Sequence, residues 1–281
     1  MEPARGTSAP ALRLFKTWFW RPPRAHGDTI VDRRVSPLEL LYDLAYVAVI
    51  SQAGLHLAQH VSVAGVVAFA LVFSLTWIAW TNGMLYLELH GRSDGRTRTF
   101  VFLLMGVLAI LAVFARDAGD GSGAPFAQTY ATFLAVMTWL WYAVRRRDIT
   151  ESPDFLGDTA RFVWAIALST AVMVASAFLG TTPRLWVWTL LVAAWVVLML
   201  VTGRAPVGLG RGITPTDSLV ERFGTFTIIV LGEVVFGVVD GLSVTEHSPW
   251  VLALLLVVVL GLVWAVAVRA FLLAGAWAES A

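Results

Sequence analysis

SPLELLYDLAYVAVI, residues 36–50, is the stretch on which the fold turns. It is apolar enough to enter a bilayer. Ser36-Pro37 marks its start: a capping hydroxyl precedes a proline at the first helical position, where the missing N–H costs nothing. Yet Glu39 and Asp43 stand one turn apart within it. Ser36-x-x-Glu39 has the spacing of a capping box, in which each side chain takes a backbone N–H of the other residue. That gives Glu39 a local role. Asp43 has none, because it lies roughly 10 Å along the helix axis, past the last free N–H. An Asp inside a span costs roughly 2.5–3.5 kcal/mol on insertion scales. A partner cation, a water-filled cavity or protonation must offset that cost. Glu39, Tyr42, Asp43 and Tyr46 recur at i, i+3, i+4 and i+7, so they share one face. That face is expected to point inward and to make this span central.

The rest of the chain agrees with a membrane reading. Hydrophobic residues make up 58% of the 281 and charged residues only 14%, against about 25% charged in a soluble domain. Several apolar runs approach the ~20 residues that cross about 30 Å of hydrocarbon. The pattern predicts an all-α, polytopic helical bundle of eight spans: 37–58, 62–87, 99–116, 126–144, 159–179, 184–202, 217–239 and 249–273. Residues 1–35 read as a basic, flexible cytoplasmic tail, 36–275 as one transmembrane domain and 276–281 as a short C-terminal tail. Eighteen of the twenty Lys and Arg residues fall on one side of this arrangement; Arg116 and Arg184 alone fall on the other. The positive-inside rule then puts both termini in the cytoplasm, and the membrane is expected to be the plasma membrane. The chain contains no cysteine, which excludes disulfides and thiolate sites.

The seventh span, SLVERFGTFTIIVLGEVVFGVVD at 218–240, repeats the theme of the first. Ser218-x-x-Glu221 has capping-box spacing. Glu233 lies about 18 Å past Glu221, near the bilayer midplane. Arg222, Phe226, Ile229, Glu233, Gly237 and Asp240 share a face. An intramembrane acid of this kind marks a functional site by default, and the competing reading is a buried Glu bonded to a neighbouring span. On the second span, Trp77, Trp80 and Asn82 are unusual inside a span, and Trp80 through Tyr86 read as an interfacial aromatic belt. Asn82 reads as an interhelix hydrogen bond, and Asp94 with Arg98 as a surface pair. His56 and His60 have the i, i+4 spacing of a helical metal pair, although histidines at a helix end are more often interfacial; no metal or other cofactor is expected. No phosphate loop, nucleophile elbow or nucleic-acid module appears.

Two stretches together resemble the bacterial low-temperature-requirement protein A (LtrA) family. PLELLYDLAYVAVISQ at 37–52 is similar to its Glu-Leu-Phe-Phe-Asp-Leu-x-Phe-Val signature, and ERFGTFTIIVLGE at 221–233 to its Glu-Arg-x-Gly-Leu-Phe-x-Ile-Ile-x-Leu-Gly-Glu signature. The resemblance carries family features onto Glu39, Asp43, Glu221, Arg222, Gly224, Gly232 and Glu233. Tyr42 and Tyr46 stand where that pattern usually has Phe, and Val234 where it commonly has Ser. Against it, this chain reads as a short member that lacks later helices. The family name reports growth in the cold, not a reaction. The resemblance implies an integral membrane protein.

Three functions follow as expectations. The first is a transporter or channel-like protein in which Asp43 and Glu233 bind a proton or small cation, supported by Glu39, Tyr42, Tyr46, Glu221 and Arg222. The second is an intramembrane enzyme whose protonated carboxylic acid donates to a lipid or isoprenoid; no nucleophile–base pair accompanies it. The third is a structural or sensory membrane protein whose acids serve packing.

Overall fold

The computed structural model describes residues 19, 21–25, 35–59, 62–92, 94–202 and 217–244. Among them are seven α-helices and no strand. They are α1 (Pro37–Gln59), α2 (Val63–His90), α3 (Gly95–Ala115), α4 (Gly123–Glu151), α5 (Leu156–Ser176), α6 (Thr181–Thr202) and α7 (Asp217–Val244), with a 3₁₀ turn at Pro153–Phe155. The seven correspond to the first seven expected spans. The eighth, at 249–273, lies outside the described residues, as does His60.

Helix starts follow local chemistry. At α1 the capping box is formed: the Ser36 N–H donates to Glu39 Oε2 and the Glu39 N–H to Ser36 Oγ, both at 3.3 Å. Ser62 caps α2 by accepting the Gly65 N–H at 3.0 Å. Asp94 caps α3 by accepting the Thr97 N–H at 2.9 Å. Asp94 is therefore a buried cap and Arg98 an exposed side chain, which corrects the expected surface pair. Arg184 braces the turn that follows α5, donating to the Ser176 and Leu179 carbonyls.

Five of the helices are long and apolar enough to cross a membrane: Pro37–Gln59, Val63–His90, Gly95–Ala115, Thr159–Ser176 and Thr181–Met199. The surface supports the same conclusion. Phe102, Ile110 and Val113 on α3, Trp164 and Leu168 on α5, Trp186 and Leu190 on α6, and Ile228 and Phe236 on α7 are each more than half exposed. A water-soluble bundle does not present its large apolar side chains on every flank; a bundle solvated by lipid does.

The interior is aromatic and sparsely polar. Helix α1 packs against α2, α3 and α7, and so occupies the centre, while α4 packs against α5, α3 and α2. Pairs of helices are fastened by a few polar contacts. Trp188 and Trp195 on α6 donate their indole N–H groups to Ser176 and Ser169 on α5, both at 3.0 Å. Tyr130 on α4 donates to the Leu75 carbonyl of α2 at 2.7 Å. In an apolar medium each such bond satisfies a group that would otherwise be orphaned.

Candidate functional site

The site begins with Asp43. It is the seventh residue of α1, and its face is turned toward α2 and α7. Arg222 is the sixth residue of α7. Helices α1 and α7 both rise from the same end of the bundle, so the two side chains meet at one depth. Arg222 Nη2 donates to Asp43 Oδ1 at 2.8 Å and Nε donates to Oδ2 at 3.3 Å. This is the bidentate fork that a guanidinium and a carboxylate form best. From α2, Trp80 Nε1 adds a third donor to Asp43 Oδ1 at 2.9 Å. Asp43 is 2% exposed and Arg222 1%. The cation required to offset the buried acid is therefore Arg222, and Trp80 completes the carboxylate.

An aromatic layer closes the pair off from the deeper part of the bundle. Trp80 stacks on Phe226 with ring centroids 4.1 Å apart and planes within 9°. Phe223 meets Trp80 edge-on at 4.9 Å, and Trp77 lies 5.7 Å from Phe226. Trp80 is wholly buried, so the expected interfacial belt is corrected: its indole serves the ion pair. Helical spacing produces this layer, since Phe226 sits one turn beyond Arg222 on the same face.

Beside the pair is a tyrosine dyad. The Tyr46 hydroxyl donates to the Tyr42 hydroxyl at 2.5 Å and also approaches the Ala79 carbonyl at 3.5 Å. Both rings are fully buried. Gly83 on α2 makes the room: a Cβ there would overlap the Tyr42 hydroxyl and press on that of Tyr46. Asn82, next to it, donates to the Ile78 carbonyl of its own helix at 2.8 Å, so the expected interhelix bond from its amide is replaced by a local one.

Toward the helix ends a second polar layer appears, which sequence reasoning missed. Glu88, in the last turn of α2, is 2% exposed and accepts the Ser218 hydroxyl at 2.7 Å. Ser218 thus bridges to α2, while Glu221 is exposed. An acid in the last turn of a helix opposes the helix dipole, and that was the legible signal. Nearby, Arg24 Nη2 donates to the Glu88 carbonyl at 3.1 Å and the Arg24 N–H to the His90 carbonyl at 3.1 Å. Residues 21–25, within the stretch read as a tail, lie against this end.

Glu233 is placed differently. It is half-buried on α7, eleven residues and roughly 16 Å beyond Arg222. No hydrogen bond or ion pair joins it to Asp43, and among the described residues it has no such partner. At the opposite end of α1, His56 Nδ1 lies 3.1 Å from Asp117 and Nε2 lies 3.6 Å from Asp120. No group of three or more His, Asp or Glu suited to a metal occurs among the described residues.

The two stretches that form the ion pair, one on α1 and one on α7, fall within the match to a family model. That model, bacterial low temperature requirement A protein (LtrA), matches residues 34–271. The chain belongs to the LtrA family. No curated protein and no solved structure matches it. The LtrA match covers both signature stretches, and the geometry gives them a shared physical purpose: the Asp of the first and the Arg of the second are one another's counter-charge.

Proposed function

We propose that this chain is a transporter or channel-like protein of eight spans, with both termini in the cytoplasm and its place in the plasma membrane. In this reading Glu233 is the acid that takes up a proton or small cation, and the Asp43–Arg222 pair is the gate between it and the cytoplasm. The observation that carries the reading is the contrast in how the two acids are held. Asp43 is locked by a guanidinium and an indole. Glu233, on the same face of the same helix as Arg222, has no such partner among the described residues. An intramembrane carboxylate without such a partner is the kind of group that exchanges protons or ions.

The pair suits a gate because it holds α1 to α7 only while Asp43 is ionised. Protonation of Asp43 weakens the fork and leaves a cation in need of a new partner. Tyr42, Tyr46, Glu39 and Glu221 are supporting residues near that end of the bundle.

Reconstitution into proteoliposomes tests the proposal. The wild type is expected to carry a proton or cation flux, which Glu233→Gln removes and Asp43→Asn alters. Equal silence of the wild type and Glu233→Gln across ions and gradients would overturn it. A second reading, that the acids serve helix packing alone, is favoured by the complete bonding of the Asp43 carboxylate. It requires that Asp43→Asn and Glu233→Gln change stability only and leave growth in the cold intact in a complemented deletion strain.

A further inference from the structure

Part of the stretch read as a flexible tail is seated on the bundle. Pro22 and Pro23 hold it extended, because each ring fixes φ and removes an N–H. Pro23 and Ala25 are buried, while Arg21 and Pro22 face outward. Arg24 lies at the C-terminal end of α2, where a helix leaves its last carbonyls without intrahelical partners. The Gly91 N–H takes those of Tyr86 and Leu87. Arg24 takes two more: its N–H donates to the His90 carbonyl and its guanidinium to the Glu88 carbonyl, both at 3.1 Å. The cation also sits where the helix dipole favours it. His90 Nδ1 donates back to the Arg24 carbonyl at 2.8 Å; a carbonyl only accepts, so Nδ1 carries the proton. Arg24 is thus a cap for α2 supplied from 64 residues before Glu88.

Phe19 is the second anchor. It is half-buried against Gly95, the first residue of α3. A Cβ at Gly95 would collide with the Phe19 ring, and the three atoms nearest that position all belong to Phe19. Gly95 has no left-handed backbone to explain it, and helix propensity favours Ala there. The glycine is a seat for this ring.

The turn of α2 that this segment holds is the turn that grips α7. The Glu88 side chain accepts the Ser218 hydroxyl at 2.7 Å while its carbonyl accepts from Arg24. Ser218 stands one turn before Arg222 on α7. A single line of contacts therefore runs from Arg24 through Glu88 to the helix that carries the ion pair. We infer that Phe19 and residues 21–25 form a strap that locks the start of α7. Seated, it fixes the last turn of α2 and, through it, Ser218. Lifted, it releases α7 and with it the Asp43–Arg222 pair. Regulation of a gate rests on the reading of that pair proposed above; the strap and its hold on α7 do not.

The chain has no cysteine, so a single introduced thiol reports its own site. Ala25→Cys in the full chain, held in nanodiscs, is treated with a polar maleimide. Ala25 is 3% exposed. The thiol is expected to react at least about tenfold more slowly than that of Thr150→Cys, exposed on the last turn of α4, because the open state of such an element is populated to about 10% or less. Gly95→Ala is expected to raise the rate about fivefold, the lower end of what overpacking does, and to quicken hydrogen exchange across residues 221–226 of α7. Phe19→Ala, which removes the ring and leaves α3 as it is, is expected to act in the same direction if the Gly95 variant does not fold. A thiol that reacts as fast as the Thr150→Cys reference overturns the strap, and so does a rate that neither variant raises. A freed thiol with unchanged exchange in α7 overturns the hold on α7. Neither readout uses flux, so a silent wild type in proteoliposomes overturns the transporter reading and not the strap.

Discussion

Asp43 and Glu233 are both carboxylates inside a lipid-solvated bundle, yet their surroundings differ in almost every respect. Asp43 has two donors from Arg222, a third from Trp80 and a stacked aromatic layer above it. Glu233 has half-exposure and no such partner among the described residues. The difference teaches that an acid in a span is not by itself a site. One is tied into the structure, so its removal should register first as lost stability. The other is not, so its removal should register first as lost activity.

The largest effect is expected where the comparison is sharpest. Arg222→Met leaves Asp43 buried without its cation and should destabilise the bundle by about 3–5 kcal/mol. The double variant Asp43→Asn/Arg222→Met removes both charges and should recover most of that loss. Thermal unfolding in detergent measures both. If the double variant is no more stable than Arg222→Met, the pair is not the unit of stabilisation, and the contrast with Glu233 weakens.

Smaller effects probe the groups around the pair. Trp80→Phe keeps much of the stacking on Phe226 but removes the indole N–H from Asp43. The loss of a hydrogen bond to a charged group predicts about 1.5–3 kcal/mol. Gly83→Ala inserts a methyl group where the Tyr42 hydroxyl stands, and overpacking of that kind costs about 1–3 kcal/mol. Tyr42→Phe removes the hydroxyl in the way and should relieve part of the penalty in the Gly83→Ala background. Additivity in that double-mutant cycle would show that the two positions do not touch.

These residues differ in how readily the sequence discloses them. The capping box at Ser36 and Glu39 is legible because it is local: spacing alone specifies both hydrogen bonds. The inward face of α1 is legible for the same reason, since helical periodicity places Tyr42, Asp43 and Tyr46 together. That Asp43 needs a partner follows from solvation. That the partner is Arg222 does not, because the match depends on two helices 179 positions apart meeting at one depth. Trp80 was hidden by its type: an indole near a span end reads as an interfacial anchor, and only packing turns its N–H toward an acid. Gly83 is silent in sequence, since what matters is the hydroxyl that fills the space it leaves.

Glu233→Gln is the smallest stability change and the most discriminating one. Gln is nearly isosteric with Glu, and no bond among the described residues depends on the charge. Stability should therefore move by no more than about 0.5 kcal/mol, as for substitutions away from structural features. If Glu233 exchanges a proton or cation, flux in proteoliposomes should nonetheless disappear, because an amide neither titrates nor carries charge. A large loss of stability would mean that Glu233 is held as firmly as Asp43, and the two acids would then be alike. Unchanged stability with unchanged flux would remove Glu233 from the pathway and leave the α1–α7 ion pair as the one functional element shared by the two signature stretches.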